Sequence, residues 1–136
     1  MRAMDESDRA QLVRRYAEAS RDDDFDMLTR LRHRDWQQTW PQSGEIVTSS
    51  ANYHDLRVHR PEGAPRVDLG TSSGGSGDQW WSELIVHYAD GSRWLAINLI
   101  ELRDGLVHRE RIYFGQPFAA PGWRAKWVTQ GPPAIS

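Results

Sequence analysis

The sequence predicts a cone-shaped α+β domain, a curved antiparallel sheet wrapped around N-terminal helices, with a small-molecule pocket between the two layers. Two observations carry this expectation. The first third of the chain is amphipathic at helical spacing, and the last third, Trp80 to Phe118, reads as three long strands joined by two Asp-Gly turns. A length of 136 residues suits one domain and leaves no room for a second core. We expect that domain to span 1–118, with 119–136 as a tail that carries a short Trp-rich segment and a disordered end.

Leu12, Val13, Tyr16, Ala17, Ala19 and Ser20 form one stripe, and Asp5, Ser7 and Asp8 supply caps, so a first helix is expected near 6–21. Asp22, Asp23 and Asp24 then make a turn and a second cap, and Phe25, Leu28 and Leu31 mark a shorter helix. The Asp triplet reads as a solvated turn, because no second carboxylate cluster with loop spacing follows it. From Trp36 to Val47 the pattern is strand-like but broken by Trp40-Pro41 and Ser43-Gly44, which suits a bent or edge strand. Ser49 and Ser50 cap a third helix carrying Tyr53 and Leu56, and Pro61 ends it by excluding helical geometry at Arg60. Val67 to Leu69 suits a short strand. The polar run 70–79 (GTSSGGSGDQ) reads as a long mobile loop, a slack connection or a lid.

The two Asp-Gly turns permit a register. A two-residue turn at Asp90-Gly91 pairs His87 with Trp94 and Glu83 with Asn98. A three-residue turn at Arg103-Asp104-Gly105 pairs Leu102 with Leu106, Asn98 with Glu110 and Trp94 with Phe114. One face then carries Trp81, Glu83, Ile85, His87, Trp94, Ala96, Asn98, His108, Glu110, Ile112 and Phe114. The other carries Leu84, Val86, Leu95, Ile97, Leu99, Arg109, Arg111 and Tyr113. The first face mixes rings with acids and an amide and is assigned to the pocket. The second is aliphatic and is assigned to a partner subunit; a one-residue slip in either turn exchanges them.

Composition excludes several classes. With 17 basic and 19 acidic residues there is no electrostatic footprint for nucleic acid or an anionic membrane. The run from Trp94 to Ile100 is too short to span a bilayer, and the N-terminal residues lack the apolar core of a signal peptide, so a cytoplasmic protein is expected. Cysteine is absent, which excludes disulfides and thiolate chemistry. Seven Trp residues point to a ring-rich core, cavity or interface.

The ending ELRDGLVHRERIYFG, after helix–helix–strand–helix and long antiparallel strands, resembles the nuclear transport factor 2-like superfamily with its cystatin-like α+β barrel. Within it, the chain is similar to SnoaL-like proteins related to polyketide cyclases and ketosteroid isomerase. The resemblance covers about residues 5–118 and implies a conical pocket and a homodimer. It also implies that Tyr16 falls where ketosteroid isomerase has its oxyanion-hole tyrosine, and Asn98 where that enzyme keeps a protonated acid. Trp40 then occupies the position of the catalytic base, and Trp cannot accept a proton. Gly115 stands where many relatives have an acid, and the Arg-Asp arrangement of the epoxide hydrolases has no match.

The candidate catalytic set is therefore Tyr16 and Asn98 as carbonyl polarisers, with Glu83, Glu110 or His87 as acid or base. Trp36, Trp40, Trp81, Trp94, Ile112 and Phe114 are the candidate ligand-binding residues. Each has a plainer reading: Tyr16 as helix core, Asn98 as a structural amide, Glu110 as the partner of a neighbouring base. His33, His54 and His59 read as surface helix residues. A metal site from His87, His108 and a Glu is disfavoured because register separates the two rings, and neither metal nor cofactor is expected. Trp123 and Trp127 are spaced to share one side of a helical turn. The expected function is binding of an apolar small molecule in an aromatic-lined pocket, with no nucleic-acid or membrane partner. The alternative is a cofactor-independent isomerase or cyclase acting on a cyclic or polyketide-like carbonyl compound.

Overall fold

Asp5 opens the first helix with a reciprocal cap: its carboxylate accepts from the Asp8 N–H at 2.8 Å, and Asp8 accepts from the Asp5 N–H at 3.1 Å. In this computed structural model, which describes residues 3–133, that helix is α1, Glu6–Arg21, burying Leu12, Val13, Tyr16 and Ala19. Asp24 caps α2, Phe25–Leu31, through the Met27 N–H, and the Asp22–Asp24 turn is the solvated link the spacing predicts. Strands β1, Arg32–Trp40, and β2, Glu45–Val47, form a hairpin across Pro41–Gly44. Ser49 caps α3, Ser50–His59, which ends at Arg60 before Pro61. Then come β3, Arg66–Ser76, β4, Gln79–His87, β5, Arg93–Arg103, and β6, Leu106–Gly115. A 3₁₀ turn, Gly122–Trp127, lies in the tail with Trp123 and Trp127 exposed.

The sheet order is β2-β1-β6-β5-β4-β3, and every pairing is antiparallel except β1 with β6, which is parallel. The sheet is curved but open, with β2 and β3 as its edges, rather than a closed barrel. Helix α1 packs across the concave face, over β3 and β4. Beneath it lies one apolar cluster built on Leu12, Tyr16, Leu28, Trp36, Ile100 and Val107; a second, Val67, Leu84, Val86, Ala96 and Ile112, continues towards the open end. Among the described residues no helix is long and apolar enough to cross a membrane.

Three expectations need correction. Residues 70–76 are not a loop but the outer half of β3, paired with β4 from Gly74↔Trp81 to Ser76↔Gln79. Small residues there allow close strand approach: a Cβ on Gly75, whose φ is +151°, would meet the Gln79 carbonyl oxygen at 2.4 Å. His33 lies on β1 rather than a helix surface, its ring 4.9 Å from that of His108. The expected disorder of the last residues, in part, lies outside the described residues, at 134–136.

The third correction concerns both turns, whose types are exchanged. At Asp90 the loop has three residues: the Tyr88 N–H bonds Ser92 O, the Gly91 N–H bonds Tyr88 O, and Gly91 takes a φ of +85°. At Asp104 it has two, with Arg103 opposite Leu106 and both Asp104 and Gly105 at positive φ. The first change slips β4 by one residue, so Ser82 faces Asn98 and Val86 faces Trp94. Trp81, Glu83, Ile85 and His87 therefore move to the convex face, and Leu84 and Val86 enter the concave one. Between β5 and β6 the change adds one residue and a bulge at Leu102 adds another, giving Asn98 opposite Ile112 and Ala96 opposite Phe114. Two slips restore the parity. Asn98, Glu110, Ile112 and Phe114 stay on the concave face as expected.

Candidate functional site: a conical pocket over a buried carboxylate

Between the concave face of β4–β6 and helices α1 and α3 lies a cavity of about 810 Å³. Its walls are aliphatic and aromatic, with Leu84, Val86, Ala96, Ile112, Phe114 and Trp40 prominent. These are the even-numbered concave positions of three adjacent strands, continued by β1. Tyr16, Asn98 and Glu110 lie at its inner end, while Arg57, His59 and Arg60 from the last turn of α3 contribute to its rim.

Glu110 is 2% exposed and is surrounded by donors. Its Oε2 accepts from the Tyr16 hydroxyl at 2.7 Å, the Trp36 indole at 2.5 Å and, more weakly, the Gln38 amide at 3.4 Å. Its Oε1 accepts from Asn98 Nδ2 at 2.6 Å. All four neighbours donate, the arrangement that an acceptor-only carboxylate requires. A buried charge is tolerated on those terms and costs several kcal/mol without them.

The compensating cation is Arg32, also buried, and the Tyr16 hydroxyl joins the two. Arg32 Nε donates to that oxygen at 2.6 Å, and a terminal nitrogen donates to Ser50 Oγ at 2.9 Å. The guanidinium carbon stands 3.9 Å from the Trp36 ring centre and 4.3 Å from that of Tyr53, a cation held between two π-faces. Burial, reinforced by the charge on Glu110, raises the Tyr16 pKa well above the usual phenol value, against the opposing pull of Arg32. Tyr16 therefore keeps its proton. Burial alone would lower the Arg32 pKa, but its interactions with Tyr16 and Glu110 hold it above the ordinary arginine value.

Of the residues read from the sequence, Tyr16, Asn98, Glu110, Trp40, Ile112 and Phe114 line this cavity. Trp36 stands behind it as a donor to Glu110, and Trp94 stands beside it, its indole bonded to Ser92 Oγ and its ring against Tyr88. Glu83, His87 and Trp81 lie on the convex face, where His87 pairs with Asp68 at 2.9 Å. That placement removes Glu83 and His87 from reach of anything bound in the cavity. His108, the residue skipped at the register shift, lies near Glu101 and His33, away from His87; among the described residues no group of acids and imidazoles could hold a metal ion.

Sequence reading missed Arg32, Gln38 and Tyr53. The available signal was the even spacing of Trp36, Gln38 and Trp40 along one strand, which places Gln38 between two rings and lets the Trp40 indole donate to Gln38 Oε1 at 2.8 Å. Arg32 had no such signal, because the irregular register between Arg32 and Gln37 breaks the alternation.

Comparison with known proteins now adds to this geometry. A structure described as an NTF-2-like protein of unknown function, from Burkholderia xenovorans LB400, is 33% identical and superimposes with a TM-score of 0.81 over 96% of this chain and all of that one. The chain belongs to the nuclear transport factor 2-like family. A putative ketosteroid isomerase from Kribbella flavida DSM 17836 also gives a TM-score of 0.81, at 21% identity, over 93% of this chain and 92% of that one. A protein of ketosteroid isomerase-like fold from Catenulispora acidiphila DSM 44928, solved with trimethylamine, gives 0.61 at 16% identity over 76% and 85%. The last two likenesses concern the fold alone. No protein-family model and no curated protein matches the sequence.

The nuclear transport factor 2-like frame thus holds a cavity whose inner polar groups are largely committed to one another. The Tyr16 proton points at Glu110, and Asn98 donates to the same carboxylate; Asn98 Oδ1 is buried without a protein partner. Carbonyl polarisation by Tyr16 would require its one proton to leave Glu110, whereas Asn98 Nδ2 has a second N–H.

Proposed function

We propose that this protein binds an apolar small molecule in the conical cavity, without the acid–base machinery of an isomerase. The observation that carries the reading is the set of four hydrogen bonds that engages Glu110, beside a cavity whose sheet-side walls are mostly apolar. A general base needs a lone pair facing its substrate; Oε2 of Glu110 is crowded by three donors, and Oε1 already accepts from Asn98. The expected base position carries Trp40, which supports the same reading. Pockets of several hundred Å³ with apolar walls and a few polar groups suit small-molecule ligands.

The competing reading, a cofactor-independent isomerase or cyclase with Tyr16 and Asn98 as polarisers and Glu110 as acid or base, draws on the presence of all three at the inner end of the cavity. Native mass spectrometry of protein purified from its own host, followed by calorimetric titration with biphenyl-sized apolar compounds, tests the binding reading. The expected result is a defined organic adduct or a saturable heat. Ligand-free spectra together with no heat from such compounds contradict it.

We also infer a homodimer through the convex sheet face. Ile97 and Tyr113 are exposed there, and the tail returns so that Phe118 and Pro132 line a groove with Leu95 and Ile97. A second copy would cover this apolar surface.

A further inference from the structure

Three arginines line the cavity, and their states differ. Arg32 is enclosed by rings and spent on Tyr16 and Ser50. Arg57 is spent on Asp23, at 2.9 Å through Nε, and on the Pro65 carbonyl, at 2.9 Å through a terminal nitrogen. Arg60 is different: its Nε is buried without a partner, and its ion pair with Glu62 is long, 3.5 Å, to a carboxylate that is itself 55% exposed.

The position of Arg60 follows from the sequence. It caps α3 immediately before Pro61, and its guanidinium stands 5.0 Å from the ring centre of Tyr88, another cavity residue, which holds it over the rim. Other charged groups lie near the rim, and the carboxylate of Asp55 also lines the cavity. His59 Nδ1 bonds the Asp55 carbonyl, and Asp90 is engaged by Ser92 in the β4–β5 turn while also feeling the Arg60 charge. A guanidinium has five N–H donors in a planar fork; here the long contact with Glu62 is the one polar contact among the described residues, and the side chain lines the cavity.

Resting on the binding reading above, we propose that the ligand is an apolar acid, its hydrocarbon body in the cavity and its carboxylate held at the rim by Arg60. The arrangement lets the charged group remain partly hydrated while the body is buried, so neither end pays the full desolvation that a carboxylate deep in the cone would incur. Two parallel N–H···O bonds from one guanidinium fit a carboxylate and not a neutral amide.

Calorimetric titration with biphenyl-4-carboxylate, biphenyl-4-carboxamide and 4-methylbiphenyl separates the possibilities. The carboxylate is expected to bind about five- to tenfold tighter than the amide at low salt. That preference should shrink as salt is raised and fall to about onefold in Arg60→Gln. Because Arg60 is partly exposed at a helix end, this variant should keep its melting temperature, and affinity for 4-methylbiphenyl should be unchanged. Equal binding of acid and amide by the wild type, or a preference that survives Arg60→Gln, overturns the proposal and leaves the apolar pocket standing. Failure of all three compounds to bind overturns the pocket reading, and the proposal with it.

Discussion

Glu110 is the residue on which the interior turns. Removing its charge while keeping its shape, as in Glu110→Gln, sets an amide N–H₂ against neighbours that are donors and leaves Arg32 without its counter-charge. Breaking a buried ionic arrangement from one side costs about 3–5 kcal/mol, so urea denaturation should show a loss of that order. Tyr16→Phe removes one donor from Glu110 and one acceptor from Arg32, with an expected loss of about 1–3 kcal/mol at neutral pH. The same tyrosine predicts a pH dependence. Burial raises the pKa of Tyr16, Tyr53 and Tyr88, so as pH passes about 10 the unfolded chain loses phenol protons that the folded chain retains. Stability present below that pH should therefore fall as pH rises above it. Denaturation midpoints from pH 8 to 11 should show a shallower alkaline decline in Tyr16→Phe than in wild type; identical slopes would count against a protonated, buried Tyr16.

At the level of elements, the hairpins decide which side chains meet. Helices α1, α2 and α3 were legible because cap and periodicity agreed: Asp5, Asp24 and Ser49 each cap where the sequence places them. Strand β3 was legible only at Val67 to Leu69, because the Gly- and Ser-rich run 70–76 has the composition of a linker and is held in the sheet by its partner rather than by its own propensity. The Asp-Gly turns were recognisable, but Asp-Gly suits both a two-residue turn and a three-residue one with Gly in the left-handed position. Only the bulge at Leu102, invisible in the alternation, kept Asn98 and Glu110 on one face. The close approach at Gly75 gives a test. Gly75→Ala places a methyl 2.4 Å from the Gln79 carbonyl oxygen at a φ of +151°, and should cost about 2 kcal/mol by thermal or urea unfolding. Gly77→Ala, whose Cβ meets nothing within 4 Å, should cost less although its φ is also positive.

Over the whole molecule, the division is between a concave face that encloses a cavity and a convex face that leaves apolar side chains outside. Its general form was legible from helices followed by long strands, whereas the membership of each face depended on turn details. The convex surface predicts self-association: sedimentation equilibrium should give twice the chain mass, and Ile97→Lys with Tyr113→Lys should shift the protein towards monomer without unfolding it. A wild-type monomer at high concentration would contradict that use of the face. The central claim concerns the concave side. Its most direct test is an amide-resolved NMR titration with 4-methylbiphenyl. Saturable shifts concentrated on Leu84, Val86, Ala96, Ile112, Phe114 and the last turn of α3 are predicted; shifts confined to the convex strand positions, or no saturable change, would contradict it.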